Sequence, residues 1–250
     1  MKTVLLFLLP FLPAILAAQT DLQSGVLSWK GGQTKMIEGS TRDLSSFRVH
    51  TSTLQPGKSN HPLKAYDDVD EMVIVKEGEL TVQINEASKQ IGPGGLAMII
   101  AGDRQSFRNE AGTPVVYYVL TLKSKNPVNI ERGRQGGSFV KDWKDFEVKK
   151  TDKGESRPVF DQPSSQFERF DVHATSLNPG LSSHDPHRHR AEEFFILLKG
   201  DVQVQCGDSF HNAHPGDIVF QASEVLHGIK NTGTVQCAYM VVQWHNKKDD

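Results

Sequence analysis

The 250-residue sequence contains only two cysteines, Cys206 and Cys237, which are too few for a disulfide framework or a zinc-finger cluster. It has no surplus of positive charge, since 28 lysines and arginines stand against 30 aspartates and glutamates. A partner such as nucleic acid, which attracts strongly basic chains, is therefore not expected. The sequence also lacks a phosphate-binding glycine loop, a dinucleotide-binding fingerprint and a serine-nucleophile elbow. The composition is otherwise that of an ordinary globular protein. Any catalytic or binding chemistry must therefore come from side chains outside these motifs.

The first 18 residues differ in composition from the rest of the chain. Lys2 is followed by an apolar stretch that ends at Leu16, and two small residues, Ala17 and Ala18, come next. A positive start, an apolar stretch and small residues are typical of a secretory signal peptide. We therefore expect a signal peptide over residues 1–18 and an exported protein, periplasmic or extracellular, with no membrane contact after cleavage. An uncleaved membrane anchor is the alternative, although the stretch is shorter than the roughly 20 residues that span a bilayer.

An internal repeat divides the remaining sequence. The segment Phe-Arg-Val-His at 47–50 matches Phe-Asp-Val-His at 170–173, an offset of 123. Further along, the offset becomes 122 and pairs Glu71 with Glu193, Gly78 with Gly200, Gly94 with Gly216, and Asn109 with Asn231. The sequence therefore predicts two copies of one module.

Both copies have the pattern of β-strands. Apolar residues alternate with polar ones at 79–84 and at 201–206, and continuous apolar runs occupy 97–100, 115–120 and 194–198. Glycine or proline interrupts these segments every 8–12 residues, which favours an all-β sandwich or barrel. We predict a first module over 19–124, a connector over 125–162 and a second module over 163–245. Whether the connector adds a strand to either module is left open.

The second module carries the strongest chemical signal, the segment His187-Arg-His189-Arg-Ala-Glu-Glu193. On an extended chain, residues two apart point to the same side, so His187 and His189 are expected to project together, with Glu193 close by. His227 is the fourth candidate, from a later segment. Three imidazoles and one carboxylate suit a borderline divalent metal. The alternative is a solvent-exposed turn that contains histidines by chance.

These positions resemble the two sequence motifs of the cupin superfamily. The first motif is matched by Gly180, His187, His189, Glu193 and Gly200, with one extra residue in the first gap. The second motif is matched by Gly216, His227 and Asn231, while Ala222 and Glu224 replace the proline and glycine that the family has there. With the repeat, the chain is similar to a bicupin. The resemblance implies two tandem cupin barrels of the double-stranded β-helix (jelly-roll) type.

The resemblance also implies a function. Cupins with three histidines and one glutamate include dioxygenases, decarboxylases, isomerases and lyases, so the expectation is a metal-dependent enzyme acting on a small oxygen-rich molecule. One divalent ion of Mn, Fe, Ni, Co, Cu or Zn is expected, with Glu193 as the catalytic carboxylate. The predicted pocket residues are His173, Phe195, Tyr239 and Met240. A non-catalytic ligand-binding or storage cupin is the alternative, and a homodimer is compatible with the family.

The first module has lost this ligand set. Applying the offset of 122, Ala65, Asp67, Glu71 and Gln105 stand where the second module has His187, His189, Glu193 and His227. Asp67, Glu71 and Gln105 are predicted to form a degenerate site, which either binds a hard cation weakly or stays metal-free and hydrogen-bonded. Cys206 and Cys237 align with apolar strand positions of the first module, so buried thiols are expected, with a disulfide as the alternative.

Overall fold

The computed structural model describes residues 21–32 and 34–247, so the predicted signal peptide lies outside the described residues. The first half contains ten strands: β1 Gly25–Leu27, β2 Thr34–Gly39, β3 Leu44–Leu54, β4 Lys64–Ala65, β5 Asp70–Glu77, β6 Leu80–Ile84, β7 Ala87–Ile91, β8 Leu96–Ile99, β9 Arg104–Arg108 and β10 Val115–Ser124. The connecting region and the second half contain helix α1 Ile130–Gly136, β11 Phe139–Lys141, a 3-10 turn Trp143–Asp145, β12 Lys149–Thr151, β13 Gly154–Gln162, β14 Arg169–Leu177, β15 Glu192–Lys199, β16 Val202–Cys206, β17 Ser209–Ala213, β18 Ile218–Gln221, β19 His227–Asn231 and β20 Cys237–His245. Among the helices of the described part, none is long and apolar enough to cross a membrane.

The strands form two antiparallel barrels, each made of two sheets. The first barrel combines the sheet β11-β8-β5-β10-β3-β2 with β4-β9-β6-β7, and the second combines β1-β18-β15-β20-β14-β13-β12 with β17-β16-β19. One apolar core lies inside each barrel, and a third, rich in aromatic rings, joins the two barrels. Strand β10 shows why the apolar runs are continuous: Tyr117 packs inside the first barrel, while its neighbour Tyr118 packs in the shared core. The prediction of an all-β fold with two tandem barrels is confirmed.

Each barrel takes an edge strand from outside its own repeat. Strand β1, near the start of the described chain, pairs with β18 of the second barrel, and β11 of the connecting region pairs with β8 of the first. A tryptophan follows each of these strands and covers a glycine of the same barrel, Trp29 on Gly216 and Trp143 on Gly94. Both glycines have positive φ, and a Cβ at Gly94 would lie 2.6 Å from the Trp143 ring. Only glycine therefore allows both the turn and the close packing at this position.

A buried carboxylate, Glu192, ties the second barrel to the first. Its oxygens accept hydrogen bonds from the Thr41 hydroxyl at 2.5 Å, the Arg42 amide at 3.0 Å and the Trp244 indole nitrogen at 3.0 Å. Glu192 is only 1% exposed. Burial raises its pKa, against the opposing effect of these hydrogen bonds. The loop that precedes β3 of the first barrel is thus held by a strand of the second.

The first barrel contains the counterpart of this contact at the repeat offset. Asp70, which is fully buried, accepts hydrogen bonds from the backbone amides of Ala101 at 2.9 Å and Gln166 at 3.2 Å. Gln166 lies in the loop before β14, which corresponds to the loop held by Glu192. The contacts between the barrels are therefore reciprocal. Glu192 of the second barrel binds the loop before β3, and Asp70 of the first barrel binds the loop before β14.

Candidate metal centre

The predicted ligands come from three parts of the second barrel. Glu193 lies at the start of β15, and His227 begins β19. His187 lies outside the named strands but forms an isolated antiparallel bridge with His227, with reciprocal backbone N–O distances of 3.0 Å. His189 follows in an extended segment that leads into β15. The backbone bridge fixes two of the imidazoles opposite each other.

The four side chains converge. The ligand atoms of His187, His189 and His227 all lie within 4.8 Å of one another. Glu193 closes the group, because its Oε1 lies 3.4 Å from His189 Nε2 and its Oε2 lies 3.3 Å from His227 Nε2. Ligands of one transition-metal ion lie about 2.0–2.2 Å from it, so these side chains need little movement to share an ion.

Backbone carbonyls set the protonation of two imidazoles. His189 Nδ1 lies 2.8 Å from the Ala191 oxygen, and His227 Nδ1 lies 2.8 Å from the Val225 oxygen. A carbonyl oxygen can only accept, so each Nδ1 carries the proton and the lone pair of the neutral ring is on Nε2. His227 Nε2 is buried and has no hydrogen-bond partner. A nitrogen of this kind fits a metal ion, and the donor set of three imidazoles and one carboxylate fits a borderline divalent metal.

The electrostatics of the site favour an ionised carboxylate. Burial would raise the pKa of Glu193, but the His189 and His227 rings, whose Nε2 atoms lie 3.4 and 3.3 Å from the carboxylate oxygens, outweigh it and hold the pKa well below its usual range. The hydrogen bond to Glu193 raises the pKa of His189. Burial, and then the charges of neighbouring histidines, lower the pKa of His187. A cation at this point would balance the negative charge of the Glu193 carboxylate.

A cavity of about 510 Å³ opens beside these side chains, inside the second barrel. Glu193 and His227 form part of its wall, and the predicted pocket residues Phe195, Tyr239 and His173 also line it. Residues 151–156, from the turn between β12 and β13, lie along the same cavity. The candidate metal ligands therefore border a space large enough for a small organic molecule.

The prediction that Met240 lines this pocket is wrong. Met240 is fully buried in the core between the barrels, whereas Tyr239 faces the cavity. Successive residues of a strand point to opposite faces, so these two neighbours on β20 cannot both face the same space.

Sequence reasoning missed one polar side chain of the site. Gln243 on β20 stands in register with Glu193 and donates a short hydrogen bond from Nε2 to Glu193 Oε1. The repeat contained a signal for it: at the offset of 122, Thr121 occupies the same position and donates to Glu71 Oε1 at 3.3 Å. In both barrels, a donor on the last strand orients the carboxylate.

The degenerate site of the first barrel is filled by its own side chains. Gln105, which is fully buried, donates from Nε2 to Glu71 Oε2, while Asp67 is exposed. The space beside Glu71 and Gln105 does not hold even one water-sized sphere. Of the three predicted residues, the structure thus brings two together, in an arrangement that agrees with the metal-free alternative.

Glu71 gives the first barrel a predicted pH dependence. Burial raises its pKa from 4.5 to about 7, against the hydrogen bond from Thr121. The folded state therefore favours the protonated acid, so the stabilisation is complete below pH 4.5 and is lost as the pH rises through 7. Over that window we expect the free energy of unfolding to fall by about 3 kcal/mol. This fall in the free energy of unfolding is measured by denaturant titrations of the wild type and Glu71→Gln between pH 4 and 8.

The matched control for that experiment is Glu86→Gln, since the Glu86 side chain is 88% exposed. Glu71→Gln should flatten the pH dependence, whereas Glu86→Gln should leave it unchanged. Equal slopes for wild type and Glu71→Gln would contradict the assignment.

Both cysteines are buried free thiols, as the packing interpretation expected. Cys206 ends β16 and Cys237 begins β20. Burial raises the pKa of each thiol.

Comparisons with known proteins agree with the two-barrel architecture. The cupin domain model Cupin_2 matches twice, at residues 50–121 and 174–243. No curated protein sequence matches the chain. Many solved structures resemble it.

Protein Ylba from E. coli is 15% identical, with a TM-score of 0.68 over 94% of this chain and 96% of that chain. An oxalate decarboxylase from Lactobacillus farciminis, in complex with formate, is 14% identical, with a TM-score of 0.66 over 92% of this chain and 88% of that chain. A Bacillus subtilis oxalate decarboxylase studied for its Mn(II) centres is 12% identical, with a TM-score of 0.64 over 94% and 80%.

At these identities the likeness establishes the fold and leaves the reaction open. The two matches to the family model each fall within one barrel and together cover more than half of the chain. The protein therefore belongs to the cupin domain family and is a bicupin.

Proposed function

We propose that the second barrel binds one divalent transition metal, Mn, Fe, Ni, Co, Cu or Zn, through His187, His189, Glu193 and His227. With that ion the protein acts as an enzyme on a small oxygen-rich organic molecule, in a reaction of dioxygenase, decarboxylase, isomerase or lyase type. The observation that carries this proposal is the convergence of three imidazoles and a partly buried carboxylate beside a cavity of about 510 Å³, with Glu193 and His227 in its wall.

The residues of the chain have separate tasks in this proposal. A bound divalent ion supplies Lewis-acid or redox chemistry to oxygen atoms of the substrate. Gln243 orients Glu193, which is ionised and can accept a proton from a molecule in the cavity. Across the wall, His173 Nδ1 lies 2.9 Å from Asp171 Oδ1. The carboxylate of Asp171 thereby holds the imidazole of His173 in the wall of the cavity, where it can contact the substrate.

Metal analysis of the purified protein tests the proposal. We expect about one transition-metal ion per chain in the wild type and His189→Ala to lose it, because one of four ligands is gone. His211→Ala is the matched control, since His211 is an exposed histidine of the same barrel, on β17. A wild type without metal, or equal metal content in the two variants, would overturn the proposal.

The reaction is identified by screening the metal-loaded protein for turnover of small oxygen-rich compounds. Oxalate is included because two of the similar structures are oxalate decarboxylases, and diketones, flavonols and uronic acids extend the range. Binding of such compounds without turnover would favour a non-catalytic ligand-binding cupin.

We also propose that the protein is exported, on the support of the signal-like sequence at 1–18. Mass spectrometry of the periplasmic or secreted protein should find a chain that begins near Gln19. A chain that retains Met1 or Lys2 would contradict export by cleavage.

A further inference from the structure

A glutamine outside the proposed ligand set, Gln221, lies on the strand next to that of Glu193. It ends β18 and stands in register with Glu193 on β15. Its Nε2 reaches Cys206 Sγ at 3.3 Å, and Cys206 stands in register with His227. Gln221 is 1% exposed and lines the cavity. Residues in register on neighbouring strands have Cβ atoms about 4.5–5.5 Å apart, so this amide lies close to the centre.

The orientation of the Gln221 amide follows from its neighbours. Its Nε2 lies 3.1 Å from the Gln205 backbone oxygen, which can only accept a hydrogen bond. The amide nitrogen must therefore face Gln205, and Oε1 must face the other way. Gln221 Oε1 is buried and has no hydrogen-bond partner in the protein. A buried acceptor of this kind costs stability unless a donor meets it, and the cavity is where a donor can come from.

The charges around the cavity limit which donor that is. Among the described residues that line it, none is an arginine, and its lysine, Lys153, already donates from Nζ to the Ser183 backbone oxygen at 2.9 Å. Asp152 adds negative charge at the same cavity, and the carboxylate of Glu155, which also lines it, is paired with Lys150 and Arg157. A second carboxylate of a ligand would lie against the acceptor Gln221 Oε1, to which it cannot donate a hydrogen bond, and no guanidinium would be there to bind it. A hydroxyl group would donate to that acceptor.

The residue that replaces Gln221 in the first barrel supports a role for Gln221 in the cavity of the second. At the offset of 122, Ile99 occupies the position of Gln221. Ile99 is in register with Glu71, the counterpart of Glu193 in the first barrel. Isoleucine therefore fits this strand position when the barrel interior is filled, and the fold does not require an amide there.

We propose that Gln221 determines specificity by accepting a hydrogen bond from a hydroxyl group of the ligand, so that the site selects 2-hydroxy acids and related hydroxyl-bearing chelators over oxalate-like diacids. This inference rests on the proposed metal site and names the substrate class for it. Glycolate and oxalate form a matched pair of probes, because both can chelate a metal through two oxygens but only glycolate offers a hydroxyl donor.

The test measures dissociation constants of glycolate and oxalate for the Co(II)-loaded protein from its visible absorption spectrum. Gln221→Ile, the residue of the other barrel, should weaken glycolate about tenfold, the effect of one hydrogen bond, and leave oxalate unchanged or tighter. Gln203→Ile is the control, since Gln203 lies on neighbouring β16 outside this cavity and should change neither constant. Gln221→Met, which is flexible and of similar length, replaces Gln221→Ile if that variant fails to fold.

The outcomes separate this inference from the metal proposal. Wild type and Gln221→Ile should both bind one Co(II) per chain, and absence of Co(II) from the wild type would overturn both proposals. If Co(II) binds but the two ligands weaken equally, Gln221 has a structural role only. If neither ligand responds, the acceptor is satisfied by a resident water, and the inference on specificity is wrong.

Discussion

Glu192→Ala is expected to lower the free energy of unfolding by about 3–5 kcal/mol, because it removes the shared acceptor of four hydrogen bonds, and each buried donor left unsatisfied costs about 1–3 kcal/mol. The donors are the Thr41 hydroxyl, the Trp244 indole nitrogen and the backbone amides of Arg42 and Asp43, and of these four residues only Arg42 is exposed. The total free energy of unfolding of a typical domain is only about 5–15 kcal/mol, so this loss is a large fraction of it. Denaturant unfolding followed by tryptophan fluorescence measures it, with Trp244 itself in the affected core.

The control for this prediction is Glu131→Ala on helix α1. The Glu131 side chain is 81% exposed and pairs only with the exposed Arg134 within the helix, so near-wild-type stability is expected. Asp70→Ala, the repeat counterpart of Glu192→Ala, should destabilise in the same direction. If Glu192→Ala is as stable as Glu131→Ala, the contacts between the barrels contribute little to folding.

Glu193→Gln is expected to weaken metal binding about 100-fold and to reduce turnover by about 10²–10⁴ even at saturating metal. The substitution keeps the shape of the side chain but removes the charge that faces His189 and His227. The amide oxygen of the new glutamine can still accept from Gln243 Nε2, and its NH2 group then faces His227 Nε2 in place of a carboxylate oxygen. Metal titration and steady-state kinetics with a substrate from the screen measure the two effects separately.

Glu155→Gln is the control for the site carboxylate. Glu155 also lines the cavity but belongs to the segment at 151–156 and lies outside the group of converging histidines. We expect Glu155→Gln to bind metal like the wild type. Metal loss in Glu155→Gln together with retention in Glu193→Gln would show that the ligand set is assigned wrongly.

The repeat offset was the most informative feature of the sequence. It predicted two modules, and aligning them showed that His187, His189 and His227 have no imidazole counterparts in the first module. The structure brings these three side chains together. Strand parity would also have excluded Met240 once Tyr239 was placed in the cavity, because adjacent residues face opposite ways.

Other parts of the structure left little trace in the sequence. Strands β1 and β11 are three residues each, too short for any alternation to be recognised, and their partners are fixed by tertiary contacts. Sequence reasoning therefore gave residues 19–124 to the first module, although 25–27 pair with the second barrel. The sequence also gave no sign of the role of Glu192. Its neighbour Glu193 was identified as a candidate ligand, whereas the contacts of Glu192 with the other barrel became visible only in the structure.

The exchange of edge strands has a consequence for how such a gene can change after duplication. Removal of residues 21–124 would leave β18 of the second barrel without β1, and removal of residues 125–247 would leave β8 of the first barrel without β11, so the remaining barrel would have an uncovered sheet edge in either case. A half without imidazoles at the ligand positions, as with Asp67 and Gln105 in the first half, therefore still has a part in completing the other barrel.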